Sequence, residues 1–332
     1  MDVYSIVDLA NMYSRARYVT KGPIDEKVGM AIHITMNSIR KAWNDFGADH
    51  TVICLEGRSW RKDYYKPYKL NRKEKRGEMT PSEQEEDKLF WEGLSAFQDF
   101  LIEKTNCTVL QHPSLEADDL VAGWIQSHPD DQHVIISTDS DFVQLISDNV
   151  KQYNGISDTI ITTDGYFCEG KPVLEKKTGK PKEKPDPEWL LFEKCIRGDR
   201  SDNVFSAYPG VRKKGSSNKV GLLEAYGDKY TKGYNWNNLM LQRWTDHNGE
   251  EHRVLDDYMR NVSLIDLTAQ PEHVRVMIND TINSVTKKTV KQVGIHLMKF
   301  CAKWDLDTIS DQAESFARMF STAYSSTREQ NV

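Results

Sequence analysis

The chain has 332 residues, of which 28% are charged and 38% belong to the hydrophobic class. This length allows one large core or a core plus a smaller domain, and this composition excludes a disordered chain. The net charge of −6 argues at first sight against nucleic-acid binding. The charges are unevenly distributed, however, since residues 58–76 contain nine lysine or arginine residues. Such a basic segment can bind phosphate even on an acidic protein.

Cysteine usage and hydropathy exclude several classes of protein. The five cysteines lie far apart without a CxxC pair, which fits reduced thiols better than disulfides or a zinc site. No apolar stretch approaches the ~20 residues that a membrane span needs. The N-terminal sequence MDVYSIVDLA has neither the basic nor the apolar region of a signal peptide. We therefore expect a cytoplasmic protein without membrane contact.

The first two thirds of the chain alternates between strand and helix patterns. Segments rich in β-branched residues predict strands at 5–8, 52–56, 107–111 and 134–139, with two shorter strands near 150–153 and 159–163. Helices are predicted at 25–46, 82–104 and 116–127. This alternation favours a parallel sheet with right-handed crossovers. Residues 171–187 are expected to form an exposed hairpin or loop whose six lysines either contact duplex weakly or only solubilise the chain.

The last third of the chain has helical patterns throughout. The predicted helices cover residues 188–197, 220–226, 254–264, 286–304 and 310–324. The closing residues 325–332 are polar and are expected to fray. The pattern therefore predicts an α/β core at 1–187 followed by a helical region at 188–324.

Acidic residues recur at predicted sheet edges and helix starts. Asp8, Glu56 and Asp139 end three predicted strands, and the carboxyl ends of parallel strands line one crevice. The remaining acids of the pattern are Glu116, Asp118, Asp119, Asp141, Asp199 and Asp202. Each alone could be a helix N-cap or a turn residue. Nine carboxylates in a small volume would repel one another, and hard oxygen ligands suit Mg²⁺ or Mn²⁺.

The basic segment interleaves its cations with Trp60, Tyr64, Tyr65 and Tyr68. Aromatic rings that stack on unpaired bases, beside cations that follow the backbone, are typical of single-strand channels. The same pattern is also compatible with a solvated helix face.

Five segments, IVDLANM, WRKDYYKPYKLNR, EADD, STDSDFVQL and GDRSDN, carry a family resemblance. In this order and spacing they resemble the 5′ nuclease superfamily of flap endonucleases, polymerase 5′ nuclease domains, and phage 5′–3′ exonucleases and RNase H. The resemblance covers roughly residues 1–230, and the YKLNR element is most similar to the bacteriophage branch. It implies an α/β fold with a parallel-type central sheet flanked by helices, the PIN-like 5′ nuclease core.

The resemblance also implies two divalent metal ions, Mg²⁺ with Mn²⁺ as a substitute. In a two-metal site one ion activates the attacking water and the other stabilises the leaving oxygen, which here implies 5′-phosphate and 3′-hydroxyl products. The implied ligands are Asp8, Glu56, Glu116 and Asp118 for one ion, and Asp119, Asp139, Asp141, Asp199 and Asp202, partly through water, for the other. The family usually has Asp where this chain has Glu56, so direct or water-mediated binding stays open there.

By the same resemblance, a helical arch at about 58–95 would clamp a 5′ single strand. Lys69 and Arg72 would reach the scissile phosphate as catalytic groups beside Asp8, Asp118 and Asp139, and Tyr68 would stack near the displaced base. A variant helix–hairpin–helix at about 199–226 would hold duplex. The implied DNA-binding residues are Trp60, Arg61, Lys62, Tyr68, Lys69, Arg72, Lys213, Lys214, Gly215 and Lys219. Arg212 stands where the family has Gly, which makes a K⁺ site in the hairpin doubtful.

These features predict a structure-specific 5′ nuclease for flap, nicked, gapped or RNA-primed DNA, in the host cytoplasm if the chain is phage-encoded. A phage-type RNase H acting mainly on RNA–DNA primers is compatible with the same acids. A non-catalytic DNA-junction binder and a PIN-type ribonuclease also stay open. Branched or primer-bearing DNA is the expected partner, with RNA–DNA hybrid and unidentified replication proteins as further ones. The balance of activities and the oligomeric state stay open.

Overall fold

A computed structural model describes residues 1–217 and 219–325, which pack into two compact units. Unit 1 comprises Met1–Arg58, Met79–Pro185 and the chain from Arg275 onward. Unit 2 comprises Ser59–Glu78 and Asp186–Val274. This grouping differs from the expected division at residue 187, because the last helices pack on the first segment of the chain. The expected frayed tail lies, from residue 326, outside the described residues.

The strands of unit 1 form one eight-stranded sheet, and unit 2 has a two-stranded hairpin. The strands are β1 (Val3–Asp8), β2 (His50–Cys54), β3 (Thr108–Leu110), β4 (Gln132–Ile136), β5 (Val150–Asn154), β6 (Thr159–Thr162), β7 (Gly165–Cys168), β8 (Lys171–Pro172), β9 (Arg243–Thr245) and β10 (Glu251–Arg253).

Helices make up most of the rest of the described chain. They are α1 (Leu9–Val19), α2 (Ile24–Phe46), α3 (Arg61–Tyr64), α4 (Leu70–Gly77), α5 (Pro81–Lys104), α6 (Ala117–Ser127), α7 (Pro187–Arg197), α8 (Leu222–Gly227), α9 (Tyr234–Met240), α10 (Val254–Ile265), α11 (Glu272–Asn283), α12 (Val293–Lys303), α13 (Asp307–Ser310) and α14 (Ala313–Ser321), with a 3-10 turn at Ser140–Leu145. No helix of the described residues is long and apolar enough to cross a membrane.

The large sheet is mixed rather than wholly parallel. Its strand order is β3-β2-β1-β4-β5-β6-β7-β8, and the pairs from β3 to β5 are parallel. The strands β6, β7 and β8 add antiparallel pairs. The predicted parallel sheet is therefore confirmed for β1 to β5, with α2, α5 and α6 along the crossovers. Short turns between β5 and β8 cannot accommodate a crossover, which is why these strands are antiparallel.

The core of unit 1 joins segments that are distant along the chain. Ile6 and Val7 of β1 are fully buried, as expected for a central parallel strand. Phe100 of α5 stacks on Phe300 of α12 with ring centroids 4.5 Å apart, and its edge contacts Phe320 of α14. The last helices therefore complete the core that the first segments begin.

Unit 2 has its own apolar core between α7, α8, α9 and α10. Phe192 and Ile196 of α7 are buried against Leu222, Leu239 and Val254. Aromatic rings line this core, and Trp189, Tyr226 and Trp236 pack at its margin.

Some elements differ from those that the sequence patterns predict. The segment predicted as one helix at 286–304 becomes helical only at Val293. The Val290 backbone amide instead donates to the side chain of Asn106, and the Lys288 ammonium donates to the Ile102 carbonyl. These contacts hold the preceding residues outside a helix. The helices α1, α9 and α11 and the hairpin β9–β10 are not predicted by those patterns.

Candidate active site

Asp8 lies at the junction between β1 and α1 and is 3% exposed. Its carboxylate accepts hydrogen bonds from the Asn11 amide at 3.2 Å and from the Ser137 hydroxyl at 3.0 Å. Asp8 is therefore the N-cap of α1 as well as a strand-end carboxylate, and its role as a metal ligand stays a prediction.

The electrostatics of Asp8 show that other acids lie close to it. Burial and the negative charges of Glu56 and Asp139 together raise the pKa of Asp8 from 3.8 to about 7, although its two hydrogen bonds oppose the rise. The pKa of the Cys54 thiol is likewise raised by burial and by the charges of Asp8 and Asp118. Within unit 1, the charges of Glu56 and Asp139 therefore act on Asp8, and that of Asp118 acts on Cys54, while the joint metal site of these acids stays a prediction.

The acids around α6 differ in their environments. Glu116 caps the helix in a reciprocal capping box with Asp119, whose carboxylate accepts the Glu116 amide at 3.1 Å. Both side chains are buried, Asp119 completely. The Glu56 carboxylate accepts the Ala117 amide at 3.2 Å, which places it at the positive end of the helix. The partly exposed Asp118 is the acid of this helix start that the capping box does not use.

The loop after β4 carries Asp139, which lies three residues beyond the end of the strand instead of being its last residue. Its carboxylate accepts the Asp141 amide at 2.9 Å and so starts the 3-10 turn. Ser137 links this loop to Asp8, because its hydroxyl donates to Asp8 and accepts the Asp139 amide at 3.1 Å. A second link comes from the Asn11 side chain, which accepts the amide and hydroxyl of Thr138 at 2.9 and 2.7 Å.

These linking residues are not among the candidates that the sequence patterns identify. Asn11, Ser137 and Gln152 are small or medium-sized polar residues without a diagnostic spacing. The Gln152 amide group donates to the carbonyl oxygens of Ser137 and Asp139 at 3.0 and 2.6 Å. Asn11 and Ser137 lie within three residues of a strand end and close to acids in the sequence, which is a signal that could have identified them, whereas Gln152 lies in the middle of β5 and has no such signal.

In unit 2, the Asp199 carboxylate forms an ion pair with a lysine side chain. Its carboxylate lies 2.7 Å from Lys194 Nζ and accepts the amide and hydroxyl of Ser201 at 2.8 and 2.7 Å. Burial alone would raise the pKa of Asp199, but the Lys194 charge and the Ser201 hydrogen bonds outweigh it and hold the pKa below its usual value. Asp199 is therefore ionised and already neutralised by a neighbour.

Asp202 is surrounded by the residues of the predicted arch base. Its carboxylate lies 2.6 Å from Arg72 Nη2 and 3.6 Å from Lys69 Nζ, and it accepts the Tyr68 hydroxyl at 2.9 Å. The Lys69 amide also donates to the Asp202 carbonyl at 2.8 Å. Lys69 itself has a left-handed backbone at φ 53°, which starts α4. The YKLNR and GDRSDN segments thus meet within unit 2.

Three of the expected DNA-binding side chains are interior residues. Trp60, Arg61 and Tyr68 are 5%, 2% and 4% exposed. The Arg61 Nε donates to the Leu264 carbonyl at 2.7 Å, so this guanidinium holds α3 to α10 rather than presenting a free charge. The expectation that Trp60 and Tyr68 present open faces to bases is not met in this conformation. Lys62 and Arg72 are exposed, as expected.

The predicted hairpin between α7 and α8 is tightly built. A Cβ on Gly215 would lie 2.5 Å from the Lys219 carbonyl and 2.8 Å from the Gly221 nitrogen, so only glycine fits. The Glu224 carboxylate accepts the amides of Gly215 and Gly221, each at 3.0 Å. The expected contact residues Lys213, Lys214 and Lys219 are exposed on this loop.

Another group of ligand-type side chains lies at the β9–β10 hairpin. Asp246, Glu250 and His252 place one potential ligand atom each within 4.8 Å of the others. The Asp246 carboxylate accepts the amides of Asn248 and Glu250, and His252 stacks on Trp244 at 4.4 Å. These contacts give the group a structural role in holding the hairpin.

Residues 3–176 match the family model described as 5′-3′ exonuclease, N-terminal resolvase-like domain. The match covers just over half of the 332 residues. The chain belongs to this 5′-3′ exonuclease family. The family resemblance drawn from the acid segments and the α/β fold class are thereby confirmed.

Several curated proteins resemble this 5′-3′ exonuclease family member. It is 32% identical to DNA polymerase I of Rhizobium leguminosarum over 57% of the chain and 16% of that protein. It is 28% identical to Ribonuclease H of Enterobacteria phage T4 over 55% of the chain and 56% of the relative. It is 26% identical to Flap endonuclease Xni of Pseudoalteromonas translucida over 54% of the chain and 60% of the relative. Each match spans less than two thirds of the relative's own length.

A solved structure agrees over nearly the whole chain. The T5 5′-exonuclease with bound divalent zinc ions superimposes with a TM-score of 0.58 at 20% identity, covering 95% of this chain and 99% of that one. At this identity the agreement establishes the fold, which extends beyond the segment that the family model matches.

Proposed function

We propose that this chain is a divalent-metal-dependent, structure-specific 5′ nuclease that hydrolyses phosphodiester bonds in flap, nicked, gapped or RNA-primed DNA. The observation that carries the proposal is the group of carboxylates in unit 1, where Glu56 and Asp139 raise the pKa of a buried Asp8. Family membership supports it, as do relatives named 5′-3′ exonuclease, Ribonuclease H and Flap endonuclease.

The donor chemistry of unit 1 fits hard divalent cations. Asp8, Glu56, Asp118 and Asp139 offer carboxylate oxygens only, which is the ligand type that Mg²⁺ and Mn²⁺ prefer. The raised pKa of Asp8 shows that its ionised form is unfavourable beside the other acids. A nearby positive charge, such as a bound cation, would stabilise the ionised carboxylates. The T5 exonuclease crystals with divalent ions support a metal requirement. Bound ions would supply Lewis acidity and an activated water.

The number of ions and their full ligand sets are part of the proposal. Two ions are proposed in unit 1, with Glu116 added to the first set and Asp119 and Asp141 to the second, while Asp199 and Asp202, which belong to unit 2, stay a prediction from the sequence. The Asp119 carboxylate caps α6, so it favours a water-mediated role over direct coordination.

The cations paired with Asp202 supply the second element of the proposed chemistry. Lys69 and Arg72 would bind the scissile phosphate and stabilise the charge that develops on it. Both now contact the Asp202 carboxylate, so phosphate binding requires them to exchange one anion for another. Tyr68 donates to the same carboxylate and holds the group in place.

The decisive experiment is cleavage of end-labelled flap, nicked, gapped and RNA-primed duplexes in Mg²⁺, with EDTA and the Asp139→Asn variant as controls. Cleavage that releases 5′-labelled products, depends on metal and is lost in Asp139→Asn would support the proposal. Binding without cleavage in any metal would instead indicate a DNA-junction binder.

RNase H action on primers is the second candidate function. The phage T4 relative bears the name Ribonuclease H, which favours RNA-primed 5′ ends as one substrate. A rate on RNA-primed duplex well above that on an all-DNA flap of the same geometry would select this candidate. The family match favours either function over a PIN-type ribonuclease.

A further inference from the structure

A row of three aromatic and two lysine side chains lies on the surface of unit 2. Lys213 Nζ lies 5.5 Å from the centre of the Trp189 ring, and Trp189 contacts Tyr226 edge-on at 5.1 Å. Lys229 Nζ then lies 4.9 Å from the Tyr226 ring and 4.8 Å from the Tyr230 ring. We call these five residues the aromatic–lysine row. It begins at the hairpin lysine and ends on the loop between α8 and α9.

The two central rings of the row pack against the core of unit 2, whereas its last ring is exposed. Trp189 and Tyr226 pack at the margin of the unit 2 core, so their rings have limited freedom. Tyr230 is 75% exposed, and its hydroxyl donates to the Glu188 carboxylate. Lys229 lies over one face of this ring, and a tyrosine ring that is held by its hydroxyl with its other face open to water is suited to stacking.

The loop that presents Tyr230 is itself well ordered by local contacts. The Asp228 carboxylate accepts the amides of Asn235 and Trp236 at 2.9 and 2.8 Å, which closes the loop onto α9. A Cβ on Gly233 would lie 2.5 Å from Asp228 Oδ2, so a larger residue there would displace the carboxylate that closes the loop. Little conformational entropy is therefore lost when a ligand contacts the ring.

The chemistry of the row matches an unpaired nucleic-acid strand. Aromatic faces stack on bases of any sequence, and neighbouring ammonium groups bind the phosphates between them. Glu188 lies 3.5 Å from Lys229 and balances part of its charge. Exposed Lys213 and Lys232 leave cations at both ends of the row.

We propose that the aromatic–lysine row binds an unpaired strand of the nucleic-acid substrate, separately from the arch residues around Tyr68. The proposal rests on the proposed function, since it assumes a nucleic-acid substrate. It adds a second single-strand contact that lies wholly within unit 2.

The test is the affinity of the full chain for a fluorescent oligothymidylate, measured by anisotropy in EDTA so that no cleavage occurs. Tyr230→Ala should weaken binding about 5- to 140-fold, the range expected for the loss of one stacked base. Tyr230→Phe keeps the ring and should bind within about twofold of the wild type. Lys213→Ala should flatten the salt dependence by about 0.7 units of slope, whereas the exposed Lys299→Ala on α12 should not.

Three results would overturn the proposal. The first is unchanged oligothymidylate binding by a folded Tyr230→Ala variant, with folding checked by circular dichroism. The second is an equal loss in Tyr230→Phe, which would assign the effect to the Glu188 hydrogen bond. The third is an equal loss on fully paired duplex, which would make the row a duplex contact. Cleavage by the wild type is measured separately, so failure of the row leaves the nuclease proposal intact, and a wild type without cleavage fails only that proposal.

Discussion

The exposed Arg72 guanidinium lies 2.6 Å from the carboxylate of Asp202, in the loop that follows α7. The proposed phosphate-binding cation is thus paired with an acid before substrate arrives. Because the Arg72 side chain is 55% exposed, water screens its attraction to Asp202, and exchange of the carboxylate for a phosphate costs this side chain little.

We expect Arg72→Ala to lower the single-turnover cleavage rate by about 100-fold or more, because the lost charge acts mainly on the transition state. The affinity for a flap substrate should change much less. Rapid-quench kinetics at saturating enzyme gives the rate, and anisotropy in EDTA gives the affinity. Arg76→Ala, an exposed arginine at the end of the same helix, is the matched control. A loss confined to affinity would show that Arg72 is an ordinary phosphate contact.

Asp8→Asn should stabilise the metal-free protein more at high pH than at low pH. The pKa of Asp8 is raised from 3.8 to about 7, so the folded state holds this proton more tightly than the unfolded chain. The associated stability is complete below 3.8 and is lost as the pH rises through about 7. The asparagine avoids that loss, and the gain in Tm over wild type in EDTA should be at least about 3 °C larger at about pH 8 than at about pH 5.

The exposed Asp99→Asn on α5 serves as the control for that experiment, since it should show no comparable dependence on pH. Mg²⁺ should raise the Tm of the wild type at high pH more than that of Asp8→Asn. Equal gains at both pH values would contradict the electrostatic account of Asp8.

Glu56→Gln tests the position where the chain departs from its family. The Ala117 amide occupies one carboxylate oxygen, and Gln can still accept this bond. If Glu56 binds metal directly, cleavage should fall about as far as in Asp139→Asn, and Mn²⁺ should restore it only partly. A mild defect would indicate that Glu56 acts through a bound water. Mg²⁺ affinity by calorimetry checks the same point without cleavage.

Lys214 and Lys219 are expected to contact duplex phosphates from the hairpin. Their joint change to Ala should flatten the salt dependence of duplex binding by about two units of slope, about one for each lost cation. Binding of an oligothymidylate should change little. K⁺ and Na⁺ should support similar affinity at equal ionic strength. A specific K⁺ requirement would show that the hairpin keeps a cation site despite Arg212.

Features that depend on contacts between residues close together in the sequence could be predicted. Asp8 ends a buried strand and caps the following helix, so residue type and hydrophobic pattern together locate it. The start of α5 is similarly local, because Thr80 and Glu83 form a capping box and Pro81 occupies the first position of the helix. The acids of β1, β2 and β4 could be brought together because parallel strands have their carboxyl ends at one edge.

Features that depend on distant segments could not be predicted. The burial of Arg61 depends on a carbonyl on α10, more than two hundred positions along the chain. The pattern of the basic segment is the same whether its aromatic rings face water or a core. Asn106 delays the start of the helix expected at 286–304 through a contact that no local pattern encodes.

Unit 1 is built from three separate segments of the chain, and this has a practical consequence for the isolation of the proposed nuclease core. A fragment ending where the family model ends, at residue 176, would lack α12 and α14. Phe97 and Phe100 would then lose the rings of Phe300 and Phe320 that cover them. Such a truncation would expose a contiguous apolar surface and aggregate. A version that keeps all of unit 1 and replaces both segments of unit 2, Ser59–Glu78 and Asp186–Val274, by flexible linkers is the form of the proposed nuclease core that should fold.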